Sequence, residues 1–176
     1  MIALVMVFLL FLILFGFIGA ARGWAKEVLV IASVILALAA ITLLADLLNL
    51  DDLVNNDVIW YWICIFIVTL MVIFGYQSPK MQRIARATEK RAQIGEKILG
   101  YLMGMVSGYF VVGTYWYLSE AANYPLLNEY IRPPATNFAD VTQRVLAILP
   151  PTWLDTPLTV FIAVVLIFIF VIIYFV

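Results

Sequence analysis

Five long apolar runs, each close to 20 residues and almost free of charge, alternate with polar connections: 2–21, 28–48, 58–76, 98–118 and 157–176. An α-helix rises 1.5 Å per residue, so each run is about 30 Å long, enough to cross the hydrocarbon layer of a bilayer. The pattern predicts an all-α polytopic membrane protein with about five transmembrane helices. About six residues separate the first two runs, which predicts a tight antiparallel helical hairpin. The third run opens with Trp60, Tyr61 and Trp62, and the fourth closes with Tyr115, Trp116 and Tyr117. Such rings favour the membrane–water boundary. Between the fourth and fifth runs, Pro125, Pro133, Pro134, Pro150 and Pro151 break the chain into short pieces. A short helix is predicted over 137–149, with Phe138, Val141, Val145 and Ile148 on one face, lying along the outer surface. The organisation read from the pattern is a four-span membrane domain over 1–118, an outer amphipathic and proline-rich segment over 119–156, and a fifth transmembrane helix over 157–176.

Charge gives these helices a direction. Eight of the ten Lys and Arg residues lie in two connections: Arg22 and Lys26 in one, and Lys80, Arg83, Arg86, Lys90, Arg91 and Lys97 in the other. Basic loops are retained on the cytoplasmic side, so the N-terminus is expected outside and the C-terminus in the cytoplasm. Composition agrees, with 66% hydrophobic and 12% charged residues against about half and a quarter in a soluble domain. The expected location is a bacterial cytoplasmic (inner) membrane, crossed several times.

Residues that are missing exclude much chemistry. The chain has no histidine and one cysteine, Cys64. No Ser-His-Asp or Cys-His arrangement is available, nor a histidine-containing metal site or a cysteine-held iron–sulfur cluster. No catalytic residue, metal or cofactor is expected, and no nucleic-acid partner. The interiors of the five runs carry no Asp, Glu, Lys or Arg, and Asp46, near the outer end of the second, is the nearest ionisable group. Ion-coupled carriers usually keep such groups inside the membrane. Ser33, Thr42, Thr69 and Thr114 supply hydroxyls, which inside membranes usually bond their own helix backbone.

Three sets of residues stand out. Gly100, Gly104 and Gly108 recur every four residues in the fourth run, with Ser107 beside them. Residues four apart share a helix face, so they form a groove that another helix can approach closely. That helix belongs either to a partner or second copy, or to this chain. Arg22, Gly23 and Glu27 mark the first hairpin: Gly23 permits the turn, and Glu27 suits the positive N-terminus of the second helix. An exposed ion pair between Arg22 and Glu27 would contribute only about 0–1 kcal/mol, more if the headgroup region is partly dry. Finally, Lys80, Arg83, Arg86, Lys90, Arg91 and Lys97 are read either as a basic surface helix touching lipid headgroups or as a solvated connection that enforces topology.

Two stretches together resemble the colicin V production protein family. One is Gly16-Phe-Ile-Gly-Ala-Ala-Arg22-Gly23-Trp-Ala-Lys-Glu27, and the other is Gly95-Glu96-Lys97-Ile-Leu-Gly100 followed by Gly104 and Gly108. Order, spacing and topology match across roughly 1–118. The family usually carries a polar or acidic residue near the start of its first span, which this chain lacks, and typical members look four-spanning. The resemblance implies a small non-enzymatic inner-membrane protein linked to colicin V secretion and envelope maintenance. Its partners would be membrane lipids and other membrane proteins or further copies of itself. The other class of function open to such a chain is an accessory structural subunit of a larger energy-transducing membrane complex, respiratory or photosynthetic. A channel or carrier ranks below both.

Overall fold

The computed structural model describes residues 4–47, 57–77, 90–125 and 136–175. Seven helices follow one another in these segments: α1 (Leu4–Arg22), α2 (Trp24–Leu47), α3 (Asp57–Tyr76), α4 (Lys90–Ala121), α5 (Thr136–Leu146), α6 (Pro150–Trp153) and α7 (Pro157–Phe175). No strand occurs among the described residues. The first four are long and apolar enough to cross a membrane. The fifth apolar run forms α7, 19 residues long, with an apolar stretch, Pro157–Ile173, shorter than the other four.

One boundary differs clearly from the sequence pattern. α4 begins at Lys90, inside the basic connection, and continues unbroken for 32 residues. The end of the basic segment is therefore the first turns of the fourth spanning helix. Good helix formers at Lys90, Arg91, Ala92, Gln93 and Glu96 explain the continuity.

The fold turns on α4. α1 runs antiparallel along it in the most extensive helix pair among the described residues, while α2 packs on both α3 and α4. Glycine makes the α1–α4 approach close. A Cβ on Gly100 would lie 2.6 Å from the Gly19 carbonyl oxygen, and one on Gly108 would lie 2.7 Å from the Phe15 Cβ. At Gly104 it would collide with the Phe15 carbonyl oxygen and sit 3.0 Å from the Gly19 Cα. Backbone against backbone gains dispersion contacts that lipid chains do not supply. On the α2 side lies the main core, built from Val30, Val34, Ile35, Leu38, Phe110 and Val111, with Leu154 and Val160.

A second cluster joins Phe8 of α1, Trp116 of α4 and Leu149, just before α6. Leu149 is fully buried. Its side chain and Pro150 cover Gly113, 3.1 and 3.2 Å from where a Cβ would stand. Gly113 lies eight residues before the end of α4, so this turn dips about 12 Å along the helix. The Tyr109 hydroxyl donates to the Ile148 carbonyl, and the Trp153 indole N–H donates to the Tyr109 oxygen at 3.3 Å. These contacts hold α5 and α6 against the N-terminal half of α1 and the C-terminal half of α4. α7 then lies along α2, attached through buried Val160 and half-buried Ala163, Val164 and Ile167, with Leu158, Phe161, Leu166 and Ile173 exposed.

Candidate functional site

At the opposite end of the α1–α4 pair, four helices meet around one carboxylate. A single residue, Gly23, joins α1 to α2. Its φ is +92°, and its N–H donates to the Gly19 carbonyl at 2.8 Å, closing α1 in the left-handed geometry that glycine adopts without strain. So short a connection places Arg22, at the end of α1, beside Glu27, in the first turn of α2. Arg22 Nη1 donates to Glu27 Oε1 at 2.7 Å.

Glu27 has no exposed surface, whereas the Arg22 side chain keeps 21% of its surface open. Burial corrects the expectation of an exposed hairpin pair. From α4, the Ser107 hydroxyl lies 2.6 Å from Glu27 Oε2 and 2.9 Å from the Gly104 carbonyl, sharing its one proton between them. From α3, the Tyr76 carbonyl accepts a bond from Arg22 Nη2 at 3.3 Å, and the Tyr76 ring stacks under the guanidinium at 4.2 Å. Both Glu27 oxygens therefore have donors, and the positive charge is shared among an anion, a carbonyl and an aromatic face.

Close packing creates the burial. Gly104 and Gly108 flank Ser107, and the approach of α1 to those glycines closes the carboxylate in. On the other side, a Cβ on Gly75 would stand 2.9 Å from the Ser33 Cβ and 3.2 Å from the Val30 Cα, so α3 also lies tightly on α2. Further along α2 and α4 from the carboxylate comes the apolar core of Val34, Ile35, Leu38, Phe110 and Val111. It separates the ionised cluster from the hydroxyls nearer the other end. There Thr69 donates to the Ile65 carbonyl at 2.6 Å and meets the Tyr115 hydroxyl, also at 2.6 Å. Ser33 and Thr42 likewise donate to carbonyls of their own helix, those of Val30 and Leu38. Thr114 is fully buried, and its oxygen has no partner among the described residues.

The residues singled out in the sequence are distributed as follows. Arg22, Gly23, Glu27 and Ser107 come together at the four-helix junction. Gly100, Gly104 and Gly108 lie directly beside it, and α1 of the same chain occupies the face they form. Lys80, Arg83 and Arg86 lie outside the described residues, as do the side chains of Asp46, Lys90, Arg91 and Phe138; Lys97 is exposed on α4. Cys64 is a buried free thiol. Among the described residues no three His, Cys, Asp or Glu side chains cluster in a way that would hold a metal ion. Sequence reasoning missed Tyr76 and the depth of Glu27. The signal for the second was Ser107, a hydroxyl three residues beyond Gly104 on a face that has to meet another helix.

A further polar cluster caps the C-terminal end of α4. The Trp116 indole N–H donates to the Tyr124 hydroxyl at 3.1 Å, and that hydroxyl donates to Glu120. Burial, and then the bond to Glu120, pushes the Tyr124 phenol up, so it remains a protonated donor at neutral pH. These bonds accompany positive φ angles of 54° at Asn123 and 53° at Tyr124, a conformation that Tyr rarely adopts.

Removing the Ser107 hydroxyl tests the junction mildly. Ser107→Ala is expected to lose about 1.5–3 kcal/mol of stability, the worth of a hydrogen bond to a charged group. Unfolding in detergent would measure it, and an unchanged midpoint would show that the carboxylate does not depend on Ser107.

Four long apolar helices, closed at one end by a buried ion pair, define a polytopic helical membrane protein. The chain belongs to the colicin V production protein family, whose model matches residues 4–136. The match takes in the whole junction and the α1–α4 seam, and ends as α5 begins. No curated protein and no solved structure matches the chain significantly.

Proposed function

We propose that this is a non-enzymatic protein of the cell inner membrane that acts in envelope or secretion processes by docking another membrane protein or a second copy of itself. The observation that carries the reading is how the molecule uses its internal polar groups. Arg22, Glu27, Ser107 and Tyr76 satisfy one another in a junction that fastens four helices together. An apolar core backs that junction, an arrangement suited to a rigid body more than to a solute path. With α1 seated on the glycine face, the surfaces left to a partner are the outer sides of α1, α3 and α7, where Phe17, Phe66, Phe74 and Phe161 are exposed.

The experiment is gentle extraction into native lipid discs, sizing, and mass spectrometry of the intact particle. A discrete particle that retains a membrane partner or a second copy supports docking, and monomeric protein alone argues against it. A large particle of fixed stoichiometry with respiratory or photosynthetic subunits would establish the second reading, an accessory subunit. The mostly uncovered α7 suits that role.

The proposed topology places the N-terminus outside and the C-terminus in the cytoplasm. In a Cys64→Ser background, a cysteine replacing Asp155 is expected to react with an impermeant maleimide added to intact spheroplasts. One replacing Lys97 should react only after lysis. The reverse pattern would invert the topology.

A further inference from the structure

The α5 helix presents three different strips around its circumference. Thr142 and Leu146 turn toward the protein, Thr142 buried and Leu146 half-buried, and Leu149 continues that side beyond the helix end. Next around the helix come Val141 and, past its end, Ile148, both apolar and exposed, with half-buried Val145 between them. Beyond these is an exposed polar row, Asp140, Gln143 and Arg144, which with Ala147 lines a shallow open concavity. A helix ordered as protein, then apolar, then charged sits naturally along a bilayer surface. Its depth is set independently, because Leu149 and Val145 pack beside Trp116 and Tyr117, rings of the boundary layer. The concavity therefore lies at headgroup level.

Its charges are complementary to a zwitterion. Asp140 and Arg144 are one helical turn apart, and neither is paired with another described residue. A headgroup that carries a phosphate and a primary ammonium a few ångströms apart offers Arg144 an anion and Asp140 a hydrogen-bond donor. Such charge-assisted bonds are stronger than neutral ones, and Arg suits phosphate through its planar fork. Val141 and Ile148 stand beside the concavity, where the acyl chains of the same molecule would run. A quaternary ammonium offers no N–H to Asp140, and an anionic headgroup without an ammonium leaves Asp140 facing like charge.

We propose that the α5 concavity of Asp140, Gln143 and Arg144 binds a phospholipid with a phosphoethanolamine headgroup, its chains lying against Val141 and Ile148. The test uses the full-length protein in mild detergent, supplied with phosphatidylethanolamine, phosphatidylcholine or phosphatidylglycerol of matched chains, with adducts counted by native mass spectrometry. The wild type is expected to retain the phosphoethanolamine lipid at least fivefold better than either alternative. Asp140→Asn should remove its advantage over the choline lipid, and Arg144→Gln should reduce retention of all three. These positions are exposed, so both variants are expected to keep the wild-type elution volume and helical content. Equal retention of the three lipids by the wild type would overturn the proposal, as would undiminished selectivity in a folded Asp140→Asn variant.

Discussion

Gly104→Leu is expected to force α1 away from α4 and to abolish the stable four-helix unit in detergent. The Gly104 position faces the Phe15 carbonyl and the Gly19 Cα. These are backbone atoms that cannot rotate aside, and even an alanine methyl would collide with them. Overpacking usually costs about 1–3 kcal/mol where side chains can yield. Here the larger group has to shift a whole helix, so the loss should reach or exceed the top of that range. Opening the seam also brings water or lipid toward Glu27, beside Ser107 on the same face. Gly95→Ala is the matched control, because a Cβ there meets nothing within 4 Å. Alanine in an exposed helix position should raise stability by about 0.5–1 kcal/mol. Thermal unfolding and size exclusion read both variants, and equal midpoints for Gly104→Leu and the wild type would refute the backbone seam.

Arg22→Ala is the second large effect. It leaves the Glu27 carboxylate fully buried, with Ser107 as its remaining donor in the junction. Breaking one side of a buried pair typically costs about 3–5 kcal/mol. A salt bridge of this kind need not add much net stability, since desolvating both charges offsets their attraction. The informative variant is therefore the double one. Arg22→Ala with Glu27→Gln removes the stranded charge and should recover a large part of the loss, while Glu27→Gln alone should be milder than Arg22→Ala alone. A double-mutant cycle in detergent or lipid discs measures this coupling. Simple additivity would show that the two residues do not act as one unit.

Much of the fold is legible in the chain because hydropathy and helix length say the same thing. The run 58–76 became α3 within one residue, and the tight hairpin after the first run is real. The partner of the glycine ladder was also within reach. Gly16 and Gly19 recur three apart near the end of α1, and small residues on two antiparallel helices are natural mates. What local pattern hides is depth. A glutamate next to Arg-Gly-Trp reads as a boundary residue, since sequence gives its distance from a turn but not which helix leans over it. The start of α4 was hidden for a related reason, because charged residues ended the apolar run without ending the helix. On α5 Thr142 is buried while Val141, and Ile148 just past the helix end, are exposed. A periodicity argument identifies an apolar face without telling whether protein or lipid will cover it.

The Glu27–Ser107 contact joins residues 80 positions apart, and this matters for the order in which the chain is made. At about 5–20 residues per second, roughly 4–16 s pass between the synthesis of the carboxylate and that of the hydroxyl it will meet. During that interval α1 and α2 exist without α4. Of the two side chains that bond Glu27 in the finished junction, Arg22, five residues away and made first, is the one already present. Its earliest task is thus to accompany Glu27 into the membrane as a near-neutral pair, before there is a bundle for either residue to hold together.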